Sequence, residues 1–272
     1  MLVALAQTDP KIGRTEQNLA EILEIISQAS GEGADLIVFP ECALQGYCFD
    51  SRAEAMEIAV EVPGPATDEM CRACGEAHVV VGILERHNQT LLNTAVVLGP
   101  TGYLTKYHKA HLPVLGVDRF CAKGNAPGPV VDIGVGRFGV LICYELRFPE
   151  VSRSLALRGA DLVCNITNWP QGADANADFI GRTRALESRV YVASSDRAGE
   201  EKGVRFLGLS QMISPTGEVL AKAGTDPEVL MVEIDPSKAR QKNLINRPGE
   251  YELYLFRDRR PELYEALVMD QS

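Results

Sequence analysis

The sequence lacks the features that charged polymers and membranes require of a protein. It has 27 Lys and Arg against 37 Asp and Glu, a formal net charge of −10. A phosphate-binding surface needs clustered basic side chains, so this balance argues against a nucleic-acid partner. No stretch approaches the roughly 18 consecutive apolar residues that span a bilayer, and residues 1–10 carry neither a basic segment nor a long apolar one. We therefore expect no signal peptide and no membrane partner.

The cysteines do not form the pattern of a disulfide framework. There are seven of them, an odd number, and they are scattered; Cys143 and Cys164 lie within apolar, strand-like runs. Secreted disulfide-rich domains carry even numbers of cysteines, whereas reduced thiols are usual in the cytosol. This pattern predicts a cytoplasmic protein with reduced cysteines.

The remaining composition is that of a globular domain. Hydrophobic residues make up 46% of the 272 residues and charged residues 24%, which are ordinary proportions. This length is near the upper limit for one hydrophobic core. We predict a single domain over 1–272, in which about 243–272 form a C-terminal arm that packs on the surface or on a partner subunit.

Short apolar runs alternate with helical patterns along the chain. Leu19, Ile22, Leu23 and Ile26 recur at helical spacing, and turn residues at 99–102, 134–137 and 214–217 separate apolar runs as in hairpins. This alternation predicts an α/β fold with mixed sheets. The predicted strands are 2–6, 34–39, 79–84, 93–98, 103–107, 130–133, 138–143, 161–167, 190–195, 209–213, 218–221 and 229–234, and the predicted helices are 15–29, 65–76, 149–158 and 174–189.

Cys143 lies where a predicted strand turns sharply into a helix. It follows the apolar run 140–142 and precedes Pro149, a residue suited to the first turn of a helix. Backbone N–H groups or a nearby lysine lower the pKa of a thiol in such a place and activate it as a nucleophile. An isolated cysteine is more often a buried core residue, so the interpretation depends on its neighbours.

Two charged residues end other predicted strands. Glu41 follows the strand 34–39, and Lys109 follows the strand 103–107. Packing does not explain a carboxylate at the end of an apolar strand, and strand ends on one rim of an α/β layer are where ligands usually bind. We expect Glu41, Lys109 and Cys143 to converge in one pocket.

The segments that hold these residues resemble the nitrilase, or carbon–nitrogen hydrolase, superfamily. They are Phe39-Pro40-Glu41, Lys109-Ala110-His111-Leu112-Pro113 and Gly139-Val140-Leu141-Ile142-Cys143-Tyr144-Glu145. The resemblance implies a four-layer αββα sandwich with two mixed β-sheets, a homodimer or higher homo-oligomer, and no metal or organic cofactor. It also implies that Glu41 is the general base, that Lys109 stabilises the tetrahedral intermediate and that Cys143 is the nucleophile.

One position departs from the pattern of that superfamily. Many members carry a second glutamate seven residues before a glycine that corresponds here to Gly124, and Val117 stands at that position. Asp118 is one residue away and replaces the glutamate if the loop shifts. Without either group, Lys109 loses an orienting partner.

Pocket and accessory residues surround the predicted triad. The backbone N–H of Tyr144, together with Lys109, can stabilise the oxyanion that forms when a thiolate attacks an amide. Asp118, Glu145 and His111 are accessory candidates. Tyr47, Tyr144, Asn168 and Trp169 are the pocket candidates, and Arg147, Arg182 or Arg184 can bind a substrate carboxylate.

The sequence predicts a hydrolase of non-peptide carbon–nitrogen bonds. The segment 143–150, Cys-Tyr-Glu-Leu-Arg-Phe-Pro-Glu, resembles the Nit-type ω-amidases and deaminated-glutathione amidases, which act on small amides that bear a carboxylate. We predict an amidase that forms a Cys thioester and releases ammonia from a small-molecule amide. N-carbamoyl and nitrile hydrolysis stay open because the same triad serves all three. The alternatives of other classes are a catalytically weak binding or scaffolding protein and a metalloenzyme that uses His108, His111 and cysteines.

Two other motifs are interpreted as structural. The segment 134–139, Gly-Val-Gly-Arg-Phe-Gly, matches a dinucleotide-binding pattern, but a strand follows it where that pattern needs a helix. Cys71 and Cys74 form a lone C-x-x-C without a second pair of ligands. We predict a hairpin turn for the first motif and helix packing for the second.

Overall fold

The computed structural model describes residues 1–269, and strands and helices alternate along them. The strands are β1 Leu2–Gln7, β2 Leu36–Val38, β3 His78–His87, β4 Thr90–Gly99, β5 Gly102–His108, β6 Val130–Asp132, β7 Arg137–Ile142, β8 Leu162–Thr167, β9 Tyr191–Asp196, β10 Glu200–Glu201, β11 Val204–Arg205, β12 Gln211–Ile213, β13 Val219–Lys222, β14 Glu228–Glu233, β15 Asn243–Arg247 and β16 Tyr251–Tyr254. The α-helices are α1 Thr15–Gly31, α2 Arg52–Ile58, α3 Pro65–Ala73, α4 Pro149–Leu157, α5 Gly181–Ser188 and α6 Pro236–Arg240. A π-helical turn, Asn176–Ile180, leads into α5, and 3₁₀ turns span Gly116–Phe120, Cys143–Arg147, Pro261–Leu263 and Glu265–Leu267.

Two six-stranded mixed sheets form the centre of the fold. Their strand orders are β14-β1-β2-β3-β4-β5 and β13-β12-β9-β8-β7-β6. Strands β1, β2 and β3 are parallel, as are β7, β8 and β9, while the outer strands pair antiparallel. Each sheet therefore has a parallel centre whose carboxyl ends share one edge.

The alternation of side chains along the strands assigns the layers. Val3 and Leu5 pack in a core that both sheets share, whereas Ala4 and Ala6 point the other way and pack in a second core with α1 and α3. Helices α4 and α5 contact β7 and β9 of the second sheet. These are the four αββα layers, and the predicted fold class is confirmed.

Some elements differ from the predicted ones. No helix is predicted between the strand 34–39 and the helix 65–76, but the structure has α2 there. Its first turn is capped by Ser51, which accepts a hydrogen bond from the N–H of Glu54 at 3.1 Å. Strand β3 continues to His87 and forms a tight hairpin with β4. The polar residues at the end of β3 break its apolar run, so the sequence does not predict that the strand continues beyond residue 84.

The segment predicted to form a C-terminal arm starts with two short strands. Strands β15 and β16 pair as a ribbon, and beyond them Phe256 packs against the shared core, with Arg153 and Lys242 each 5.1 Å from its ring centroid. Residues 270–272 of the predicted arm lie outside the described residues. No helix within residues 1–269 has the length and hydrophobicity to cross a membrane.

The turn after β2 approaches the middle of β3 at Gly82. A Cβ atom there would lie 2.4 Å from the N of Cys42 and 2.4 Å from the carbonyl oxygen of Pro40. Any side chain at this position would displace the turn that carries Glu41. The glycine thus lets the carboxyl end of β2 fold back against β3.

Candidate active site

Lys109 is fully buried between two carboxylates. Its Nζ donates to Oε1 of Glu41 and to Oδ2 of Asp118, each at 2.6 Å. Burial acts to lower the pKa of Lys109, but the charges of Glu41 and Asp118 outweigh it and raise this pKa well above its ordinary value. The site therefore holds a permanent ammonium charge.

Asn93 and Tyr47 hold the second carboxylate in place. Asn93 Nδ2 donates to Glu41 Oε1 at 2.6 Å and to Asp118 Oδ1 at 2.7 Å, and the Tyr47 hydroxyl donates to Asp118 Oδ2 at 2.8 Å. Val117 instead packs in an apolar cluster. Asp118, through the 3₁₀ turn at 116–120, thus contacts Lys109 where the superfamily pattern leads one to expect a glutamate at Val117.

Glu41 keeps one carboxylate oxygen uncommitted. Oε1 accepts from Lys109 and Asn93, while Oε2 has no hydrogen-bond partner among residues 1–269. Burial raises the pKa of Glu41, and the charge of Asp118 adds to this, against the opposing effects of Lys109 and Asn93. A carboxylate with a raised pKa and a free oxygen is suited to accept a proton.

Cys143 begins a 3₁₀ turn in a strained backbone conformation. Its φ is +51°, a region that non-glycine residues seldom adopt, and its N–H donates to Oδ1 of Asn165 at 3.0 Å. Burial and the charge of Glu41 raise the pKa of the thiol, and they outweigh the lowering effects of Lys109, Thr167 and the backbone of Asn168. The resting thiol is therefore protonated and needs a base.

Glu145 links the loop after Lys109 to the turn that begins at Cys143. Its Oε1 accepts from the Tyr107 hydroxyl at 2.6 Å, the Ala110 N–H at 3.0 Å and His111 Nδ1 at 3.1 Å, and its Oε2 accepts from the Ile142 N–H at 2.9 Å. Burial alone would raise the pKa of Glu145, but these hydrogen bonds lower it. Glu145 is thus an anion that braces the site.

Three of the four pocket candidates surround the triad. Asn168 donates to the carbonyl of Glu41 at 2.9 Å, Trp169 is buried beside it, and Tyr47 reaches Asp118. The ring of Tyr144 instead packs edge-on against Phe148 and is 37% exposed. Only the backbone of Tyr144 lies in the turn that presents the cysteine.

A cavity of about 240 Å³ has Tyr47 in its wall, and none of the three arginine candidates lines it. Arg184 donates to the carbonyls of Leu146 and Arg147, each at 2.9 Å, so its guanidinium braces the turn that follows Cys143. Arg182 donates to the carbonyl of Gly217, and the side chain of Arg147 is exposed.

The motifs interpreted as structural have that character. The glycine-rich segment 134–139 forms the turn between β6 and β7 and the start of β7, which confirms the predicted hairpin. The Cys74 thiol donates to the Met70 carbonyl within the helical segment.

His108 contacts Glu85 at 3.0 Å and His111 contacts Glu145. Residues 1–269 contain no cluster of three or more His, Cys, Asp or Glu side chains arranged for a metal.

Two buried asparagines complete the site, and neither is among the residues that the sequence predicts. Asn93 bridges the two carboxylates, and Asn165 holds the backbone of Cys143. Each interrupts a run of apolar residues in the middle of a strand, β4 and β8 respectively. A buried amide is stable only with hydrogen-bond partners, so this interruption was the available signal.

The chain belongs to the carbon–nitrogen hydrolase family, whose pattern it matches over residues 2–243. It is 38% identical to a nitrilase of Pyrococcus abyssi, across 96% of this chain and 98% of that protein. It is 31% identical to omega-amidase NIT2 of Homo sapiens, across 91% of each.

The fold is also similar to that of a solved amidase. A cysteine-to-alanine mutant of the Nesterenkonia AN1 amidase, from the nitrilase superfamily, superposes with a TM-score of 0.84 at 25% identity, covering 98% of this chain and 97% of that one. With the omega-amidase relatives, this similarity identifies an enzyme, a carbon–nitrogen hydrolase that acts as an amidase.

Replacing Asn165 tests how the cysteine is held. Asn165→Leu removes the acceptor for the Cys143 N–H at similar size, so we expect kcat to fall about 10- to 100-fold with little change in KM, as for a displaced reactive group. Asn165→Asp, which keeps the acceptor oxygen, should retain more activity. The measurements are steady-state kinetics and the pH profile of Cys143 alkylation, followed by mass spectrometry.

Ser194→Ala is the matched control for this prediction. It removes only the hydroxyl to which Asn165 Nδ2 donates at 3.2 Å and leaves the bond to Cys143. We expect its kcat to stay within about threefold of the parent, since a surviving acceptor keeps the turn in place. Equal losses in Ser194→Ala and Asn165→Leu would assign Asn165 a role in stability alone.

Proposed function

We propose that this chain hydrolyses small amides through a thioester at Cys143, with Glu41 as the base and Lys109 as the stabilising cation. The supporting observation is the burial of an ammonium 2.6 Å from two carboxylates, beside a buried thiol. Burying three charges costs free energy that packing alone does not require. Such perturbed groups cluster where chemistry occurs.

In the first half of the reaction the thiol attacks the amide carbon. Oε2 of Glu41 takes the proton from Cys143 as the carbon–sulfur bond forms and the carbonyl becomes an oxyanion. Lys109 and the N–H of Tyr144 stabilise that oxyanion. When the carbon–nitrogen bond breaks, Glu41 returns the proton to the leaving nitrogen, and ammonia departs.

In the second half, water hydrolyses the thioester. The oxygen of the water attacks the thioester carbon while Glu41 takes a proton from that water. Lys109 and the N–H of Tyr144 again stabilise the oxyanion that forms. Collapse of this intermediate breaks the carbon–sulfur bond, and the sulfur recovers its proton from Glu41. The carboxylic acid leaves, and the three side chains are as they began.

Asp118 acts in this scheme as a positioning residue. It holds Lys109 at 2.6 Å and balances its charge, while Tyr47 and Asn93 fix Asp118 itself. With this contact, the departure at Val117 gives no support to a catalytically weak binding or scaffolding protein. Asp118, one residue later and with a shorter side chain, takes the role of the second glutamate.

A substrate panel tests the reaction and its nucleophile. We expect the parent to release ammonia from butyramide, with Cys143→Ala lowering kcat by at least about 10³-fold because the covalent route is lost. Cys164→Ala, a second buried cysteine in the adjacent strand β8, is the matched control and should retain activity within about threefold.

The same panel includes N-carbamoyl-β-alanine and propionitrile. The similarity to a protein named nitrilase makes nitrile hydrolysis the second candidate. Turnover of propionitrile without turnover of any amide would contradict the amidase proposal. Equal turnover by the parent and Cys143→Ala would remove Cys143 as the nucleophile.

The pH dependence of kcat/KM tests the base. Glu41 acts only when ionised, and because its pKa is raised, activity should be lost as the pH falls through a value above 4.5, the ordinary pKa of a glutamate. The apparent pKa of this acid limb belongs to the coupled groups of the site together, and not to Glu41 alone. An acid limb at or below 4.5 in kcat/KM for butyramide would contradict this assignment.

We also propose a homodimer that pairs through the α4 and α5 layer. Large apolar side chains are exposed there, among them Leu157 on α4, Phe179 in the π-helical turn and Leu186 on α5. Apolar surface of this kind is characteristic of interfaces, and a homodimer is what the superfamily resemblance implies.

Charge placed in that layer should separate the subunits. We expect the parent to have twice the 29.6 kDa mass of one chain in light scattering, and Leu186→Lys to shift it toward the single-chain mass, because a buried lysine without a partner is costly. Leu104→Lys, at an exposed apolar position in β5, is the control and should leave the mass unchanged. A monomeric parent would overturn the proposal.

We further propose that the enzyme works in the cytoplasm on a small-molecule amide. All seven cysteines lie within the described residues and are free thiols. Persistent thiols suit a reducing compartment. Labelling of intact cells with a fluorescent fusion checks the location.

A further inference from the structure

A second buried ion pair lies at the end of strand β9, and the proposed reaction does not use it. Arg197 is 0% exposed; its Nη1 lies 3.0 Å from Oε1 of Glu201, and its Nη2 donates to Oδ1 of Asp9 at 3.2 Å. The contact between Arg197 and Glu201 is ionic, without the alignment of a hydrogen bond. A buried ion pair contributes little to stability by itself, but it can fix one arrangement of the segments that it joins.

Glu201 holds the backbone of the loop that follows Glu41. Its Oε2 accepts hydrogen bonds from the N–H of Tyr47 at 2.8 Å and from the N–H of Cys48. Glu201 lies in β10, directly after the parallel strands of the second sheet, whereas Tyr47 follows β2 of the first sheet. The fit is close, because a Cβ atom at Gly46 would lie 2.5 Å from Oε1 of Glu201. The loop is therefore held from the second sheet.

Both oxygens of Glu201 face donors, and this arrangement requires a carboxylate. Arg197 lies at Oε1, and the two backbone N–H groups lie at Oε2. A glutamine has one acceptor oxygen and one donor nitrogen. Whichever way its amide turned, the nitrogen would face either the guanidinium or the N–H groups of the loop. A glutamine here therefore gives up one of the two contacts at unchanged size.

Tyr47 transmits this constraint to Lys109. The Tyr47 side chain is buried, and its hydroxyl donates to Oδ2 of Asp118 at 2.8 Å. The same oxygen accepts from Nζ of Lys109 at 2.6 Å. The ring packs so closely on Gly116 that a Cβ atom there would lie 2.1 Å from it, and close-packed groups move together. The hydroxyl therefore follows the backbone of Tyr47, which Glu201 holds.

We propose that Glu201, anchored by Arg197, is a positioning residue of the active site. It holds the backbone of Tyr47, whose hydroxyl in turn fixes Asp118 against Lys109. Within residues 1–269, its hydrogen bonds and ion pairs go to the loop and to the arginine, and none goes to the proposed triad. The proposal rests on the proposed amidase function and adds to it a residue that acts only through others.

The kinetics of Glu201→Gln test this role. We expect kcat for butyramide to fall about 10- to 30-fold, because a displaced ammonium stabilises the oxyanion less well, while KM changes less than about threefold. Activity is expressed per folded protein, with unfolding followed by circular dichroism on heating. A kcat equal to that of the parent would overturn the proposal.

Asp161→Asn is the matched control. Asp161 is also a buried carboxylate that pairs with an arginine, Arg240 at 2.8 Å, and accepts from a backbone N–H, that of Arg137 at 3.0 Å. It precedes β8, whereas Cys143 follows the carboxyl end of the parallel neighbour β7. We expect this variant to lower the melting temperature and to keep kcat within about threefold of the parent. Equal losses of kcat in both variants would assign Glu201 to stability alone.

A double-mutant cycle with Tyr47→Phe tests the route to Lys109. Tyr47→Phe removes the hydroxyl that reaches Asp118 and leaves the backbone N–H groups that Glu201 holds. If Glu201 acts through that hydroxyl, adding Glu201→Gln to Tyr47→Phe should lower kcat less than about threefold further. Losses that multiply, as at independent sites, would contradict the route.

Arg197→Lys replaces Glu201→Gln in the cycle if the latter does not fold. It keeps a positive charge opposite Glu201 but has fewer donors than the guanidinium. We expect a smaller loss of kcat that again disappears in the Tyr47→Phe background, and a loss that multiplies would count against the proposal in the same way.

Alkylation of Cys143 separates this proposal from the reaction itself. Burial raises the pKa of that thiol and the charge of Lys109 lowers it, so a displaced Lys109 should slow its reaction with iodoacetamide at least about fivefold in Glu201→Gln. Peptide mass spectrometry measures the rate, and Cys71, a partly exposed thiol in α3, is the internal reference that should not change.

The two failures are then distinguishable. If the parent hydrolysed no amide but alkylation of Cys143 slowed in Glu201→Gln and not in Asp161→Asn, the amidase function would fail and the positioning role would stand. Equal alkylation of Cys143 in the parent and in Glu201→Gln would overturn the positioning role even in an active amidase.

Discussion

The arrangement of the strand ends that carry Glu41, Lys109 and Cys143 depends on keeping the charge of Lys109 out of water. An ammonium without solvent contact costs several kcal/mol unless opposite charges compensate for it, and here Glu41 and Asp118 do so at 2.6 Å each. One carboxylate comes from the turn after β2 and the other from the 3₁₀ turn at 116–120. Both turns need glycines that admit them, Gly82 and Gly116. The fold around the site thus brings two carboxylates into contact with one buried lysine.

The balance of charge at this edge also determines the state of the nucleophile. Burial raises the pKa values of Glu41 and of the Cys143 thiol, and negative charge adds to this, from Asp118 at Glu41 and from Glu41 at the thiol. One cation and two carboxylates also leave the buried cluster negative when all are ionised. A thiolate prepared in advance needs net positive surroundings, which this site does not offer. Proton transfer to Glu41 must therefore accompany the attack on the substrate.

The sequence was informative wherever a residue of unusual polarity ended an apolar run. Glu41, Lys109 and Cys143 each do so, and their predicted convergence follows from the rule that ligands bind where strand ends meet on one rim of an α/β layer. Asp118 was harder to assign, because choosing it over Val117 requires the backbone path of a 3₁₀ turn. The arginines were harder still: a guanidinium reaches far, and nothing in the sequence indicates that Arg184 donates to the carbonyls of Leu146 and Arg147.

Glu41 and Glu145 show how hydrogen bonding separates a reactive carboxylate from a structural one. Both are 0% exposed, so burial opposes ionisation of each. Glu145 accepts hydrogen bonds at both oxygens and its pKa is lowered; Glu41 accepts at one oxygen only, near a second acid, and its pKa is raised. A carboxylate that accepts hydrogen bonds at both oxygens joins the segments that donate to it, and protonation would weaken those contacts. Glu145 therefore gives the turn at Cys143 its shape, and the free oxygen of Glu41 is where a proton can move.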